Sequence, residues 1–403
     1  MRILRICQDV PFPPDDGVRI DPFHSSRLLA ERGHEITIVG FLKGHRDVSV
    51  LKSWCELHAV PFNGKNSPAN WLRGIMQRRP VNYVKYRHPE LQELCDELLA
   101  ARRYDVVVVD YSAMGWYAFE IKRRFDIPVI TRWHNVDTLI WERWVNTQSN
   151  AVRRAMGRVQ LDFVRRFEQE LAAISDACLT VGARDTELLR QLVPGARVEL
   201  VPPGIDVNHY TPRDESREPN SIVLLASDYG WHPNYDAAKW LYEEILPLVW
   251  KDAPQARVYL TGRNVTPEMK KWAQPGKLEF TGFVPDERDV IGKADVMVVP
   301  MRLGGGVKLK ILTAFACGKA VVTTKAGAEG IPGLEAGDAA LVRDEPRAFA
   351  DAVLQVMNDA NLRRKLERAG RELVCRHYSW AAVADDWERV LHSVTHSRQV
   401  AAD

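Results

Sequence analysis

Short β-rich runs alternate with helical patterns along most of this chain, and that alternation limits its fold more than any other feature. In the first half the predicted strands are Arg2–Cys7, Glu35–Phe41, Asp105–Asp110, Pro128–Thr131 and Ala177–Val181. The helices predicted between them are Pro22–Arg32, Leu91–Arg102 and Ser112–Arg123. Strands that alternate with helices form βαβ units, in which the strands lie parallel in one sheet. The first half is therefore expected to be a doubly wound α/β domain.

The pattern breaks at residues 201–206, where two prolines and a glycine stop any regular element. It then restarts with strands Ser221–Ala226, Arg257–Thr261, Lys277–Thr281, Asp295–Val299 and Ala320–Thr324. The helices predicted in this half are Asn234–Trp250, 307–316, 346–358, 361–374 and Ser379–Ser393. The expected fold is thus α/β, with two doubly wound, Rossmann-like domains at 1–202 and 203–378 and a last helix in 379–403.

Length and composition narrow the class of protein. A chain of 403 residues is too long for one typical hydrophobic core, which favours two domains. A formal charge of +2 and 46% hydrophobic residues disfavour both a polyanion binder and a disordered chain. No apolar run reaches the roughly 20 residues that span a bilayer, and Met1–Ile6 enters a strand without a secretory signal. The six cysteines form no C-x-x-C pair, so we expect a reducing, cytoplasmic location without disulfides or bound metal.

Residues 300–318 carry the strongest functional signal. A predicted strand at 295–299 runs into three consecutive glycines, Gly304–Gly306, and a predicted helix containing Lys308 and Lys310 follows. Glycines leave backbone N–H groups open to close approach, and a helix N-terminus carries partial positive charge, so this segment can bind phosphate. An ordinary strand–turn–helix connection is the alternative. The G-x-G-x-x-G and Gly-Lys-[Ser/Thr] motifs are both absent, which disfavours a dinucleotide site and a P-loop.

Several motifs, in order and over nearly the whole length, resemble the family-4 retaining glycosyltransferases of the GT-B fold. Pro13–Gly17 is similar to the glycine loop after the first strand, and residues 132–143 are similar to the His-Asn segment of bacterial surface-polysaccharide transferases. Residues 202–206 match the interdomain Pro-Asn-Gly-Val-Asp motif, with Pro203 in place of Asn. The segments Ser227–Asn234, Thr281–Val284 and Gly304–Gly318 follow as in the family's donor domain. The resemblance implies two domains that face each other across a cleft, with a nucleoside-diphosphate sugar bound by the second.

The resemblance also implies roles for particular residues. The expected donor-binding residues are Gly17, Val284, Gly304, Gly305, Gly306, Lys308, Thr313 and Glu329. The expected catalytic residues are His134, Arg302 and Lys310, and the expected acceptor-binding residues are Arg19 and Asn135. No Asp-x-Asp motif is present to hold a metal, so neither a metal nor another cofactor is expected.

Two departures from the family pattern concern the donor site. The family commonly has two glutamates in the glycine-rich segment, and this chain has Gly305 and Thr313 in their places. Thr offers one oxygen where a carboxylate accepts from two ribose hydroxyls, a difference of roughly 1–3 kcal/mol. In the predicted helix, Gly306, Lys310 and Thr313 share one face, which favours Lys310 over Lys308 as the phosphate partner.

Other candidates leave alternatives open. His134 is either a site residue or a structural residue that caps the next segment, and Glu329 is a weaker candidate to replace the missing glutamate. The basic and aromatic stretch Asn70–His88 and the arginines of 143–166 suit anionic lipid head groups or a lipid-diphosphate acceptor. Solvated helix faces explain both regions equally well. Nucleic acid is not an expected partner, because no binding motif accompanies these charges.

The resemblance implies a metal-independent hexosyltransferase that retains configuration. It would move a sugar from a nucleoside-diphosphate sugar to a glycan or lipid-linked acceptor in polysaccharide or glycolipid biosynthesis. We expect it in the cytoplasm, with peripheral contact to the inner face of the cell membrane. The missing carboxylates keep open a catalytically weak homologue that serves as a binding subunit of a polysaccharide assembly complex. A sugar-nucleotide epimerase is a third reading, which the His-Asn segment disfavours.

Overall fold

The protein, analysed as a computed structural model, folds into two compact units. The structure describes residues 1–15, 17–213 and 217–402, of which 397–402 are described as backbone. One unit comprises Met1–Gly204 and the residues from Val383 onward, and the other comprises Ile205–Ala382. The boundaries predicted from sequence, after residues 202 and 378, lie two and four residues earlier.

The first unit is built on a parallel sheet of seven strands. Its strands are β1 (Arg2–Cys7), β2 (Glu35–Leu42), β3 (Glu56–Pro61), β4 (Val106–Asp110), β5 (Val129–Trp133), β6 (Ala177–Thr180) and β7 (Val198–Leu200). They are hydrogen-bonded in the order β3-β2-β1-β4-β5-β6-β7, and every pair is parallel. The helices described here are α1 (Gly17–Glu31), α2 (Pro68–Met76), α3 (Val81–Val84), α4 (Pro89–Ala101), α5 (Gly115–Arg124), α6 (Asp137–Thr147), α7 (Ala151–Ile174) and α8 (Ala183–Leu192).

The second unit repeats this architecture with a parallel sheet of six strands. Its strands are β8 (Ser221–Asp228), β9 (Arg257–Arg263), β10 (Leu278–Gly282), β11 (Val296–Val299), β12 (Val321–Thr323) and β13 (Ala340–Val342). They pair in the order β10-β9-β8-β11-β12-β13, again all parallel. The helices are α9 (His232–Trp240), α10 (Leu246–Asp252), α11 (Pro267–Lys270), α12 (Arg288–Ile291), α13 (Leu309–Ala316), α14 (Lys325–Ala328), α15 (Pro346–Asn358) and α16 (Ala360–His377). The last helix, α17 (Trp380–Ala402), starts in this unit and belongs to the first unit from Val383 onward.

The central strands are mostly apolar and buried, and the charged residues they carry, such as Arg5 and Arg132, lie in buried ion pairs. β4 begins with four consecutive valines, all buried, as expected where helices cover both faces of a parallel sheet. Phe41, Trp133 and Phe167 pack in the core of the first unit. The last helix, α17, adds the fully buried Trp387 to this unit. The predicted fold class, two parallel-sheet Rossmann-like domains, is confirmed. Among the described helices, none is both long and apolar enough to cross a membrane.

The sequence-based assignment missed three strands, β3, β7 and β13, each of which lies at the edge of its sheet. Edge strands have one neighbour instead of two, so they are often short or of mixed polarity, and their sequence pattern is weak. β7 and β13 are only three residues long. β3 alternates polar and apolar residues and ends at Pro61.

The helix predicted at Asn234–Trp250 is present, but it begins two residues earlier and is interrupted. The structure has α9, a wide π-type turn at Leu241–Ile245, and then α10. Pro247 explains the interruption, because proline has no N–H to donate and its ring clashes with the carbonyl of the residue four positions earlier.

Candidate functional site

Two buried ion pairs lie near the carboxyl ends of the first sheet's central strands. Arg5 on β1 donates to both oxygens of Asp110 at the end of β4, at 2.7 and 2.8 Å. Arg132 on β5 makes a similar two-point pair with Asp21 of α1, at 3.1 and 2.9 Å. All four side chains are buried. Two-point pairing is the geometry in which buried opposite charges best offset their loss of hydration.

The ring of Trp387 lies against both guanidinium groups. Its centroid is 5.1 Å from Cζ of Arg5 and 5.3 Å from Cζ of Arg132, close enough for cation–π attraction. Arg132 also donates to the carbonyl oxygen of Val201 at 2.6 Å. The pairs are therefore fixed both by the strands and by the last helix.

His134 follows β5 directly and lies next to these pairs. Its Nε2 is 3.9 Å from Oδ2 of Asp21, too far for a hydrogen bond, and has no hydrogen-bond partner among the described residues. The pKa of His134 is lowered to about 4, mainly by burial and also by the charge of Arg132, against the opposing effect of Asp21. His134 is therefore neutral at neutral pH, with a ring nitrogen available to a ligand.

Tyr111 holds the imidazole in place. The two rings stack with centroids 4.0 Å apart and an interplanar angle of 8°. Tyr111 has a φ of 70°, an uncommon backbone conformation for a tyrosine, at the turn after β4. Its hydroxyl donates to the carbonyl oxygen of Gly17 at 3.1 Å. Nothing in the sequence pattern singled out Tyr111, because neither the stacking nor the left-handed turn has a motif.

The ligand atoms of Asp21, Asp110 and His134 lie within 4.8 Å of one another. Such a group has the composition of a metal site. Both carboxylates, however, are already paired with guanidinium groups of Arg5 and Arg132. A cation placed there would compete with two fixed positive charges, so the cluster suits charge pairing better than metal binding.

The other predicted residues of this unit lie around the same strand ends. Gly17 opens α1, and a Cβ added there would meet nothing within 4 Å. Arg19 pairs with Asp15 at 2.5 Å, with its side chain 13% exposed. Asn135 is half-buried between His134 and the start of α6. The backbone N–H groups at that helix start are capped by Glu168, at 2.8 and 3.0 Å, and not by His134.

In the second unit the three glycines form a loop between β11 and α13. Gly304 and Gly306 have φ angles of 99° and 68°, which glycine adopts without strain. The N–H groups of Gly304, Gly305 and Gly306 have no hydrogen-bond acceptor within the described part of the chain. Unpartnered N–H groups in a glycine loop that leads into a helix are typical of anion-binding loops.

Lys308 stabilises this loop from within. The side chain is buried, and Nζ donates to the carbonyl oxygens of Gly305 and Gly306, at 3.1 and 2.8 Å. α13 begins at Leu309, two residues later than predicted. The shared helix face proposed for Gly306, Lys310 and Thr313 is therefore wrong for Gly306, which lies before the helix.

Lys310 lies in the first turn of α13, after the glycine loop, and its side chain is linked through Asn234 to the end of β8. Its Nζ donates to Oδ1 of Asn234 at 2.8 Å, and Nδ2 of Asn234 donates to the carbonyl oxygen of Asp228 at 2.8 Å. The pKa of Lys310 is lowered to about 8, mainly by burial and also by the nearby charge of Lys308. α9 begins at His232, two residues before the predicted start, so Asn234 lies inside the helix and its side chain forms this bridge.

Arg302 and Thr313 are placed differently from the two lysines. The guanidinium of Arg302 makes a two-point pair with Asp236, at 3.1 and 2.7 Å, and lies 5.3 Å from the ring centroid of Trp240. Its charge is therefore already compensated. Thr313 is buried within α13, and its carbonyl oxygen accepts the N–H of Cys317 at 2.9 Å.

Two further segments border the glycine loop or lie at the same sheet edge. Glu329 ends α14 and precedes Gly330, where an added Cβ would lie 3.0 Å from backbone atoms of Gly306 and Val307. Val284 follows β10 and is half-buried. Its neighbour Phe283 is 60% exposed, with the guanidinium of Arg263 at 4.1 Å from the ring centroid. Neither Phe283 nor Arg263 was predicted from sequence as a site residue.

This architecture, two parallel-sheet Rossmann-like units with a glycine loop at the carboxyl edge of the second, defines the class. The chain is a glycosyltransferase of the GT-B type. The description "Glycosyltransferase Family 4" matches residues 23–209, and "Glycosyl transferases group 1" matches residues 220–359. The chain belongs to the family-4 glycosyltransferases.

Two curated relatives are similar over most of their length. An uncharacterized 44.6 kDa protein in the cps region of Klebsiella pneumoniae is 20% identical over 366 residues, which cover 88% of this chain and 90% of that protein. The gpi3 subunit of phosphatidylinositol N-acetylglucosaminyltransferase from Schizosaccharomyces pombe is 24% identical over 412 residues, which cover 96% and 80%.

Solved structures share the fold. Sucrose-phosphate synthase from Thermosynechococcus elongatus has a TM-score of 0.70 at 16% identity, with 100% of both chains covered. Anabaena HepE in complex with UDP has a TM-score of 0.69 at 14% identity, covering 98% of this chain and 100% of that one. The same protein in complex with UDP-glucose gives 0.65 at 13% identity, with the same coverage.

Proposed function

We propose that this protein is a metal-independent, retaining glycosyltransferase that moves a sugar from a nucleoside-diphosphate sugar to a glycan or lipid-linked acceptor. The pathway would be polysaccharide or glycolipid biosynthesis. The protein would act in the cytoplasm, in peripheral contact with an anionic membrane at the inner face of the cell membrane.

The glycine loop carries this proposal. Three consecutive N–H groups, at Gly304–Gly306, lack an acceptor within the described residues, and two lysine ammonium groups lie at the same loop. A diphosphate supplies both the acceptor oxygens and the negative charge that this arrangement lacks. HepE, which shares the fold, has been crystallised with UDP and with UDP-glucose, which supports a nucleotide sugar as the donor.

The leaving diphosphate would be stabilised by fixed charges. As the bond between the anomeric carbon and the phosphate oxygen breaks, negative charge grows on the β-phosphate. N–H groups held at that position lower the barrier without reorganising, and the ammonium groups of Lys308 and Lys310 contribute when they turn from their present oxygen partners. Lys310 is the first choice for this role, with Lys308 behind the loop. Arg302 can contribute only if its guanidinium leaves Asp236.

The remaining donor contacts would come from neighbouring segments. The backbone of Val284 would contact the base, Thr313 the ribose and Glu329 the sugar. Gly17 leaves open space at the start of α1, where a donor phosphate could approach.

His134 is proposed as a contact to the transferred sugar. A neutral imidazole whose Nε2 lacks a partner can exchange a hydrogen bond with a sugar hydroxyl without adding charge. Arg19 and Asn135 are proposed to bind the acceptor. The relatives support the substrate class, since one lies in a cps region and another is named as part of a phosphatidylinositol glycosyltransferase.

Calorimetric titration with UDP, GDP, ADP and dTDP, in the presence of a metal chelator, tests the donor site. We expect saturable binding of one nucleotide. Lys310→Ala should lower its affinity about 10- to 100-fold, because a charge-assisted hydrogen bond contributes roughly 1.5–3 kcal/mol. The matched control is Lys325→Ala, an exposed lysine of α14 whose charge faces Asp344.

Transfer is then measured with the sugar nucleotide of the base identified, and the anomeric configuration of the product is read by NMR. Retention supports the proposal, and inversion contradicts it. If no nucleotide binds, Gly305 and Thr313 mark a lost donor site, and the binding-subunit alternative replaces the enzyme. Appearance of an epimer of the donor without acceptor would favour an epimerase.

A further inference from the structure

Helix α2 presents an apolar face to solvent. Trp71, Leu72, Ile75 and Met76 are 42%, 60%, 52% and 74% exposed. They are spaced three and four residues apart, so they lie on one side of the helix. Gly74 is the buried residue of α2, and an added Cβ there would lie 2.9 Å from a Val81 side-chain carbon. The helix is therefore attached through its glycine, and its large side chains remain unpacked.

The apolar surface continues onto α6 and α7. The N–H of Val81, which α2 contacts, donates to Oε1 of the α7 residue Gln160 at 3.1 Å. Before Gln160, α7 carries the exposed apolar residues Val152, Met156 and Val159, which are four and three positions apart. The amphipathic surface consists of Trp71, Leu72, Ile75, Met76, Ile140, Trp144, Val152, Met156 and Val159, all at least 41% exposed. Nine large apolar side chains around one region exceed the scattered exposure that is normal for globular proteins.

Two segments that carry most of this surface are basic, and the nearby acids Glu142 and Asp162 pair with Arg165. Residues 64–88 contain two lysines and four arginines, residues 143–161 contain four arginines, and neither segment contains an aspartate or glutamate. Of these, Arg73, Arg78, Arg153 and Arg158 are exposed and have no carboxylate partner among the described residues. The chain as a whole has a formal charge of only +2, so this is a local excess. A second copy of the chain docking here would bring like charges together, which disfavours a dimer.

A recess next to α2 adds a specific feature. It has a volume of about 680 Å³ and is lined by residues that include Arg73, Arg79, Arg87 and Trp116. Arg79 is paired with Glu170, at 2.5 Å, whereas Arg73 and Arg87 have no carboxylate partner within the described chain. The guanidinium of Arg87 lies 5.4 Å from the ring centroid of Trp116. The acid in the lining, Glu120, is paired with Arg123 at 2.7 Å.

We propose that the first unit binds anionic membranes through the amphipathic surface, with a lipid phosphate held in the recess by Arg73 and Arg87. Apolar side chains would enter the acyl boundary while the surrounding arginines attract the anionic head groups. This inference deepens the proposed function and rests on it in one respect, because a lipid-linked acceptor explains why the enzyme would need a membrane.

Flotation of the purified full-length protein with vesicles tests the surface without any nucleotide or sugar, so its outcome does not depend on transferase activity. We expect binding to vesicles of phosphatidylcholine with phosphatidylglycerol and weak binding to phosphatidylcholine alone. Leu72→Ser with Ile75→Ser should reduce binding more than tenfold, because two apolar side chains lose their burial. Arg73→Glu with Arg78→Glu should reduce it at least tenfold, since each basic residue near the surface contributes about 1 kcal/mol.

The matched controls are Val50→Ser and Arg103→Glu, an exposed apolar and an exposed basic residue outside the amphipathic surface. Both should bind like the wild type.

For the recess, Arg87→Gln should weaken binding to phosphatidylglycerol vesicles several-fold while leaving the weak binding to phosphatidylcholine unchanged. Equal binding to both vesicle types, or full binding by the double variants, would overturn the proposal. So would wild-type dimerisation that the Leu72/Ile75 variant abolishes, since a second copy would then cover the surface.

Discussion

Burial shifts two side chains of the proposed site toward their neutral forms. It lowers the pKa of Lys310 to about 8 and that of His134 to about 4. In each case a charged form loses hydration and regains only part of it from neighbours. Lys310 therefore carries most of its charge at neutral pH but is close to losing it, whereas His134 has no charge to lose.

The lysine shift predicts proton uptake on nucleotide binding. A bound diphosphate adds negative charge near Lys310 and raises its pKa, so binding near pH 8 should take up a fraction of a proton, and affinity should fall above about pH 8. Titration in two buffers of different ionisation enthalpy measures the uptake. In Lys310→Arg, which stays charged, the uptake should disappear. An identical uptake in that variant would mean that another group titrates.

The histidine shift predicts a pH dependence of stability. Its pKa is about 4 in the folded state against 6.5 unfolded, so the unfolded state binds more protons at low pH. Stability from this group is present above pH 6.5 and lost as the pH falls toward 4, by roughly 3 kcal/mol in all. When the unfolding free energy is measured by urea denaturation between pH 4 and 6.5, it should change less with pH in His134→Gln than in the wild type. His392→Gln, an exposed histidine of α17, should keep the wild-type slope.

At the scale of single elements, the glycine loop depends on the segment that supports it. Gly330 and Gly333 both have positive φ, 94° and 78°, so alanine strains the backbone at either position. Only at Gly330 would a Cβ also press on Gly306 and Val307; at Gly333 it meets nothing within 4 Å.

We therefore expect Gly330→Ala to lower nucleotide affinity about tenfold or more, because the loop must shift. Gly333→Ala should lose similar stability and keep its affinity, which calorimetry and thermal unfolding measure together. Equal affinities in both variants would show that the loop's position does not govern donor binding.

The elements also show what sequence patterns can predict. Central strands such as β1 and β4 are short, mostly apolar and buried, and their positions were predicted almost to the residue. Three of the edge strands, β3, β7 and β13, and the π-type turn before Pro247 were missed, because a weak pattern or a single residue decides them.

The candidate site also has a part that could be predicted from sequence and a part that could not. The glycine loop was visible as a motif, whereas the Lys308 contacts, the Asn234 bridge and the Tyr111–His134 stack were not. These contacts join residues that are far apart in the chain or depend on side-chain direction, and one sequence carries no signal for them.

At the scale of the whole molecule, the first unit is discontinuous in sequence. It includes the chain from Val383 onward, and Trp387 from that segment is buried against the pairs of Arg5 and Arg132. Trp387→Ala should therefore cost roughly 3–5 kcal/mol of unfolding free energy, the range for a buried aromatic residue. Trp71→Ala, whose side chain is 42% exposed, is the control and should cost little. If Trp387→Ala and Trp71→Ala lost similar unfolding free energy in urea denaturation, the role of Trp387 as a core residue of the first unit would be contradicted.

That discontinuity has a consequence for synthesis. The ribosome makes Ile205–Ala382 before it makes Trp387, which belongs to the first unit. The second unit, continuous in the chain, can therefore fold while the core of the first unit still lacks this tryptophan. A nascent chain that stops before Trp387 would leave two buried arginine–aspartate pairs without the ring that packs on them.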